Sequence, residues 1–290
     1  MSGGLAWVNG EVVPRAEARV SIDDFGLRYG LTCFETMLAR HGRVFRLAQH
    51  LDRLEAGLRL FRAVPPARAA LEHAIEEVLR ANSLDDASVR LSVTPGAGTR
   101  PALPASGDPT VVVTADPLAP MSPRSRLWVS SVRIDAERAW RSAKVGQFAP
   151  YLLARAEAED LGFEDALLLD YSGRIAEAAT ANVFFELDGV VVTPSLAAGA
   201  LPGVTRAAVL ELAAAEGVPV REGDLTLDDL GRATAGFLTS SVAGVVPVTS
   251  VSWRAGDASR EWAPSGLTVD RRIVDVIAGA YEALVEAETA

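Results

Sequence analysis

The chain has 290 residues, of which 49% are hydrophobic, and it carries a formal net charge of -10 at pH 7. This length and hydrophobic content allow a full buried core, either in one large domain or in two ordinary ones. The acidic balance, without a long basic run, argues against binding to nucleic acid phosphates or to anionic lipid. Chemistry on a small molecule is therefore the expected activity.

Cysteine and histidine usage narrows the possible sites and the compartment. Cys33 is the only cysteine, so the chain can form neither an intramolecular disulfide nor a cysteine-based zinc site. The three histidines are scattered without metal-ligand spacing, so no metal centre is predicted. The start of the chain lacks a signal-peptide pattern, and no run approaches the ~18 apolar residues of a spanning helix. The sequence thus predicts a cytoplasmic protein that is not embedded in a membrane.

The first part of the chain is predicted to be a small α+β lobe. It begins with a hairpin over residues 5–14, because two strand-like runs flank the turn pair Asn9-Gly10. Apolar periodicity and composition predict the next elements, which are helices over 46–61 and 66–81 and strands over 89–94 and 110–115.

A proline-rich stretch, Asp116 to Pro123, marks the predicted domain boundary, since three prolines in eight residues prevent a regular strand ladder. The predicted organisation is a small domain 1–118, a linker 119–123 and a larger domain 124–290. Patterns in the larger domain predict strands over 127–134, 165–170, 182–187, 190–193, 235–239 and 244–251, and helices over 149–161, 204–215 and 269–286. A strand-rich barrel or sandwich with outer helices is the expected architecture.

Three separated segments carry the residues of chemical interest. Lys144 lies in an uncharged context directly before a predicted helix, where partial desolvation would leave its amine able to attack an aldehyde. Glu177 stands among small residues that let a flat ring approach closely. Gly203 precedes a predicted helix, so the amides of Val204 and Thr205 can bind a phosphate. An amine, a carboxylate for a ring nitrogen and a phosphate seat are what pyridoxal phosphate requires.

Each of these residues has an ordinary explanation when it is taken alone. Most lysines are solvated surface charges, a glutamate at a strand start is usually exposed, and Gly203 can simply begin a helix. Arg53 can equally be a surface arginine of a helix, and the hydroxyls of Ser240 and Ser241 can cap a turn. Only the combination of the segments favours a cofactor site.

The whole set of motifs resembles the class IV, or fold type IV, pyridoxal-phosphate enzymes. The similarity extends from Asp24-Phe-Gly-Leu-Arg-Tyr-Gly-Leu-Thr-Cys-Phe-Glu-Thr36 to Pro247, with the motifs in the family's order. It implies a two-domain α+β fold with a small α/β N-terminal lobe and a larger barrel-like C-terminal lobe. It also implies that Lys144 is the Schiff-base lysine and Glu177 the partner of the pyridine nitrogen. The residues implied to hold the phosphate are Arg53, Gly203, Val204, Thr205, Ser240 and Ser241.

Substrate contacts follow less directly from the pattern, because the chain departs from the branched-chain enzymes near the lysine. Those enzymes usually place a tyrosine close to the cofactor's phenolic oxygen, whereas this chain has Phe148. The resemblance places Phe34 and Arg100 near the substrate pocket. Pro95 replaces an arginine of many members, which leaves Arg90 and Arg100 to grip a substrate carboxylate, although Arg90 can also point to solvent from its strand.

The leading expectation is an aminotransferase that uses pyridoxal 5′-phosphate to move an amino group between an amino acid, or an amine, and a 2-keto acid. Elimination of pyruvate by a 4-amino-4-deoxychorismate lyase is the alternative within the family. A binding protein that keeps the fold without catalysis is the remote alternative. The resemblance further implies a homodimer.

Overall fold

The computed structural model describes residues 3–100, 102–103, 108–120, 122, 124–264 and 272–290. These residues form two compact units. The first comprises Met1–Ala119, Ala143–Gln147 and Val285–Ala290, and the second comprises Pro120–Ser142 and Phe148–Leu284.

The first unit is built on a six-stranded antiparallel sheet. Its strands are β1 (Leu5–Val8), β2 (Glu11–Pro14), β3 (Cys33–Arg40), β4 (Arg43–Val44), β5 (Ala87–Thr94) and β6 (Thr110–Pro117). They pair in the spatial order β2-β1-β6-β5-β3-β4. The β1–β2 turn has positive φ angles of 48° at Asn9 and 106° at Gly10, which asparagine and glycine adopt more readily than other residues. This turn is why the opening hairpin was predictable.

Helices of the first unit cover its sheet. They are α1 (Phe25–Tyr29), α2 (Leu47–Leu60) and α3 (Arg68–Ala81). Helix α2 packs against β3, and α3 packs against β1 and β6. Leu51, Leu54 and Leu58 lie on one face of α2 and are buried with Leu91 and Val93 of β5. Full burial of one such side chain stabilises the fold by about 1.5–3 kcal/mol, so the apolar stripe fixes the helix on the sheet.

The second unit is built on a nine-stranded mixed sheet. Its strands are β7 (Ser125–Ile134), β8 (Asp165–Asp170), β9 (Ile175–Ala178), β10 (Asn182–Leu187), β11 (Val190–Pro194), β12 (Val220–Gly223), β13 (Ala233–Ser240), β14 (Gly244–Ala255) and β15 (Ala258–Trp262). Their order is β12-β11-β10-β13-β14-β7-β8-β9, with β15 beside β14. The pairs β11–β12, β14–β7 and β7–β8 are parallel. The sheet curls, because β9 at one end of the order also packs against β10.

The remaining helices are α4 (Ala149–Asp160), α5 (Val204–Ala215) and α6 (Arg272–Thr289). Helix α4 packs on β7 and β8, and α5 packs on β12 and β13. Phe184 of β10 stacks on Phe237 of β13 with ring centroids 4.7 Å apart, and both side chains are buried. Among the described residues, no helix combines the length and the apolar character needed to cross a membrane.

Most predicted elements are confirmed with small shifts of their ends, and so is the α+β class. The predictions missed β3, because its residues are buried on both faces and include the helix formers Glu, Met, Leu and Ala. They also missed α1, β4, β9, β12 and β15, which are short. Residues 269–271 of the predicted last helix, and Met121 and Pro123 of the predicted linker, lie outside the described residues. The predicted domain limits stay a prediction.

Candidate active site

Lys144 is held by its backbone in the first unit. The sequence has 28 lysines and arginines together, and Lys144 is the one lysine among them. Its carbonyl accepts a hydrogen bond from the Phe34 amide at 3.0 Å, and the neighbouring Gly146 amide donates to the Thr32 carbonyl at 2.7 Å. The segment 143–147 therefore runs along the start of β3. This pairing fixes where the half-buried lysine side chain begins.

The Phe34 ring contacts two cations of the same unit. Lys144 Nζ is 4.8 Å from the ring centroid, and the Arg90 guanidinium carbon is 4.0 Å from it. Such contacts are attractive, because the face of an aromatic ring is electron-rich. Although Arg90 keeps solvent exposure, desolvation of its guanidinium lowers the pKa of Arg90. Three residues predicted to contact cofactor or substrate are thus neighbours.

Arg53 is oriented by a buried carboxylate. Glu35 on β3 accepts hydrogen bonds from Arg53 Nε at 2.8 Å, from an Arg53 terminal nitrogen at 2.5 Å and from His50 Nδ1 at 2.7 Å. Burial opposes ionisation of Glu35, but the charge and hydrogen bonds of Arg53, with the hydrogen bond of His50, outweigh it and lower the pKa of Glu35 to about 2. Burial lowers the pKa of His50, and the charges of Arg53 and Lys144 act in the same direction. The two hydrogen bonds to Glu35 use two of the five N–H donors of the Arg53 guanidinium.

Glu177 lies on β9 of the second unit and is buried, with 5% of its surface exposed. One carboxylate oxygen accepts a hydrogen bond from the Leu201 amide at 2.7 Å. The other accepts from the Tyr151 hydroxyl at 3.1 Å and from the Arg141 guanidinium. The residue is therefore a fixed hydrogen-bond acceptor, unlike the exposed glutamate of the ordinary explanation.

Arg141 and Tyr151 were missed by the sequence reasoning. They precede Glu177 by 36 and 26 positions and lie in no shared motif. Both are buried, and Arg141 also donates to the Tyr151 hydroxyl. Phe148 stacks on the Tyr151 ring, with centroids 4.7 Å apart and an interplanar angle of 17°. A tyrosine in the first turn of a predicted helix was the one signal available, and it does not identify a site.

The start of α5 is positioned by close packing of the Gly203 backbone against the Asn182 side chain. A Cβ at Gly203 would lie 2.0 Å from Asn182 Oδ1, so only glycine fits without a shift. Asn182 Nδ2 donates to the Leu201 carbonyl at 2.9 Å, which ties β10 to the loop before α5. The N-cap residue of the helix is Gly203 itself, which has no side chain to cap it. The first amides of α5, including those of Val204 and Thr205, thus lack the usual side-chain acceptor.

Three residues with hydroxyl groups lie at the end of β13, the strand that pairs with the strand of Asn182. Thr239 of β13 pairs with Asn182 in the sheet register, and Ser240 ends the strand. The Thr239 hydroxyl is buried and has no hydrogen-bond partner among the described residues. Ser240 and Ser241 are half-buried. In the first unit, Arg100 is exposed in the loop after β5, where its backbone carbonyl accepts a hydrogen bond from the Ala102 amide.

The family model described as amino-transferase class IV matches residues 32–251. The chain belongs to this family. The matched region contains Lys144, Glu177 and the start of α5, and it covers most of both units.

Individual relatives agree with the family assignment. The branched-chain-amino-acid aminotransferase of Escherichia coli is 32% identical over 84% of this chain and 84% of its own length. Its crystal structure matches all of this chain and 97% of its own chain with a TM-score of 0.86 at 30% identity. A T.th. branched-chain amino acid aminotransferase, solved with pyridoxamine 5′-phosphate, matches 97% of this chain and 95% of its own chain with a TM-score of 0.81 at 30% identity.

A lyase is also similar. The 4-amino-4-deoxychorismate lyase of Pseudomonas aeruginosa matches 93% of this chain and 97% of its own chain, with a TM-score of 0.79 at 33% identity. Together the matches confirm the predicted fold type IV architecture and the aminotransferase class. The roles of the individual site residues stay predictions.

Proposed function

We propose that this chain is a pyridoxal 5′-phosphate-dependent aminotransferase that moves an amino group between an amino acid and a 2-keto acid. The observation that carries the proposal is the single lysine of the chain, held by backbone hydrogen bonds within the region that matches the class IV family. A transaminase of this kind needs one lysine amine, and this chain offers one lysine for it.

The donor set fits the cofactor. Glu177 is a buried carboxylate with a defined orientation, as a pyridine nitrogen requires. The start of α5 has no side-chain cap, and its glycine is imposed by close packing against Asn182. The buried Thr239 hydroxyl, without a partner among the described residues, is a further group that an anion can satisfy. A phosphate matches this combination, because backbone amides at a helix start favour an anion.

When bound, the cofactor supplies an aldehyde that bonds to an amine and a ring that withdraws electrons from the substrate α-carbon. Lys144 Nζ is the proposed attachment point. With a substrate amine in its place, the freed Lys144 amine would move the α-proton from the substrate to the carbon of the former aldehyde.

The other residues bind and orient. We assign Glu177 to the ring nitrogen, where its carboxylate accepts the N–H hydrogen bond. We assign Arg53 and the amides of Val204 and Thr205 to the phosphate, with the Ser240-Ser241 hydroxyls. Glu35 prepares Arg53 for this role by fixing its guanidinium plane. Phosphate binding positions the ring without taking part in bond breaking.

The proposed amino donors are branched-chain amino acids, because the Escherichia coli relative and its solved structure are named for them. In this assignment Arg90 binds the substrate carboxylate, and its contact with the Phe34 ring helps to hold the guanidinium in place. Phe34 contributes apolar surface to the substrate site. Arg100, which is exposed, is the alternative carboxylate ligand.

Elimination of pyruvate from aminodeoxychorismate is the second candidate function. It is favoured by the similarity to the Pseudomonas aeruginosa lyase at 33% identity. It is also favoured by Phe148, whose phenyl ring cannot donate the hydrogen bond of the tyrosine expected in branched-chain enzymes.

A homodimer and a cytoplasmic location are further parts of the proposal. The homodimer follows from the resemblance, and the cytoplasmic location follows from the composition. The buried free thiol of Cys33 is compatible with a reducing compartment.

A donor panel tests the function. Purified protein loaded with pyridoxal 5′-phosphate is mixed with L-leucine, L-valine, D-alanine or an aromatic amine, each with 2-oxoglutarate or pyruvate. Aminodeoxychorismate is offered in a separate reaction, and Lys144→Ala is the control in both. We expect keto-acid-dependent turnover with a branched-chain amino acid and none with the variant.

Release of 4-aminobenzoate without any transfer to a keto acid would replace the proposal by the lyase. Turnover by Lys144→Ala at the wild-type rate would overturn both.

A further inference from the structure

Arg141 is a buried cation that the mechanism above does not use. It lies between β7 and α4, only 8% of its surface is exposed, and its guanidinium donates to the Glu177 carboxylate and to the Tyr151 hydroxyl. Its Nε has no partner among the described residues. The backbone leaves room for it: Gly199 has a φ of 89°, and a Cβ there would lie 3.1 Å from Arg141 Nε.

The burial of an arginine is energetically unfavourable unless other interactions compensate for it. Removing a guanidinium from water costs several kcal/mol, and an apolar side chain at the same place is often no less stabilising than an ion pair. Burial opposes the charge of Arg141, but the Glu177 carboxylate outweighs it and raises the pKa of Arg141. Arg141 is therefore a permanent positive charge in contact with the carboxylate assigned to the cofactor.

Tyr151 acts as a neutral donor beside it. Burial, followed by the negative charge of Glu177, raises the pKa of Tyr151, so its hydroxyl keeps its proton and donates a hydrogen bond to Glu177. The groups facing Glu177 thus come from three places: Arg141 before α4, Tyr151 within α4 and the Leu201 amide before α5. The nearby charge of Arg138 opposes the rise in the pKa of Tyr151. A carboxylate has about four acceptor sites, so three donors leave one for a ring N–H.

Donors and a cation at a carboxylate stabilise its charged form. The remaining acceptor position of such a carboxylate would accept the hydrogen bond of a protonated ring nitrogen. We propose that Arg141 is a positioning residue that acts through Glu177: it keeps Glu177 a charged acceptor, and so keeps the ring nitrogen of the bound cofactor protonated. This proposal rests on the proposed function.

The test observes the ring nitrogen itself. Holoenzyme is prepared with pyridoxal 5′-phosphate labelled with ¹⁵N in the ring, and the ¹⁵N chemical shift is recorded for wild type, Arg141→Gln, Arg141→Lys and Tyr151→Phe. Wild type is expected to show a protonated nitrogen. Arg141→Gln, which removes the charge, should move the signal towards the neutral-pyridine position. The rate of α-proton removal should fall roughly tenfold or more in the same variant.

The other variants separate charge from packing. Arg141→Lys keeps the charge and should keep the wild-type signal, and Tyr151→Phe removes only a neutral donor and should move it less than Arg141→Gln. An unchanged signal in Arg141→Gln, or an Arg141→Lys signal displaced away from wild type, would overturn the proposal. If Arg141→Gln does not fold, the Arg141→Lys signal alone decides in the same way. Failure of wild type to bind the cofactor through Lys144 would instead refute the proposed function.

Discussion

Two buried carboxylates of this protein each accept hydrogen bonds from an arginine and from a side chain with a ring. The two clusters differ in where along the chain their members come from. Glu35 in the first unit receives Arg53 and His50, which lie three positions apart on one face of α2. Glu177 in the second unit receives Arg141, Tyr151 and a backbone amide, all from separate segments. One cluster is local to a helix and a strand, whereas the other joins three distant parts of a fold.

The difference distinguishes a cluster that mainly stabilises the fold from one that mainly serves the reaction. The Glu35 cluster is completed by side chains that also fix α2 on β3, so its loss should act mainly on folding and, through Arg53, on cofactor affinity. The Glu177 cluster ends at the loop before α5, beside the helix start assigned to the phosphate. Its loss should act mainly on chemistry. The matched substitutions Glu35→Gln and Glu177→Gln put this contrast to the test.

Glu177→Gln is expected to give the largest effect on the reaction rate. A neutral amide does not stabilise a protonated ring nitrogen as a carboxylate does, so kcat should fall about 100-fold or more in the folded protein. Steady-state kinetics at saturating cofactor, below the unfolding temperature of the variant, measure this. A folded variant with wild-type kcat would remove Glu177 from the chemistry.

Glu35→Gln should act on stability instead. It leaves the Arg53 charge without its buried carboxylate, which typically costs about 3–5 kcal/mol in the free energy of unfolding. Urea denaturation measures the loss, while kcat at saturating cofactor should stay within roughly tenfold of wild type. If kcat falls as far as in Glu177→Gln, the two clusters do not differ in the way proposed.

Acid should lower the free energy of unfolding of the wild-type protein, because Glu35 becomes protonated. Its pKa is about 2 in the folded protein, compared with an ordinary value of 4.5. The stabilisation is complete above about pH 4.5 and is lost as the pH falls towards 2, by about 3 kcal/mol in total. The lowered pKa of His50 works in the same direction at higher pH, because a buried neutral histidine resists protonation.

Unfolding free energies measured across this range should therefore fall less steeply in Glu35→Gln than in wild type. Parallel slopes for the two proteins would contradict the assignment of acid sensitivity to Glu35.

Gly203→Ala is expected to give the smallest of these effects. Its Cβ meets Asn182 Oδ1, so α5 or β10 must shift, at a cost of about 1–3 kcal/mol and with weaker cofactor binding. Gly231→Ala is the matched control, because a Cβ there meets nothing within 4 Å and should change stability by roughly 0.5 kcal/mol at most. Thermal unfolding and cofactor titration compare the two variants. Equal behaviour would show that the start of α5 tolerates a side chain.

The same contrast explains what the sequence could predict. Helix α2 and the α5 start follow from local patterns, namely apolar periodicity and a glycine before a helix. Lys144 and Glu177 were suggested by residue type and context. Arg141 and Tyr151 were not, because their relation to Glu177 arises only when the chain around α4 packs on β8, the strand that pairs with β9. The hydrogen bonds of Arg53 to Glu35 were hidden for a related reason, since β3 carried no recognisable strand pattern.

The central claim is that Lys144 carries the cofactor, and the composition makes it directly measurable. Holoenzyme reduced with borohydride and digested should give one phosphopyridoxyl group per chain, on the peptide that contains Lys144. Lys144→Arg contains no lysine at all and should retain none. A reduced wild type without a covalent label, or a variant labelled as fully as wild type, would contradict the claim.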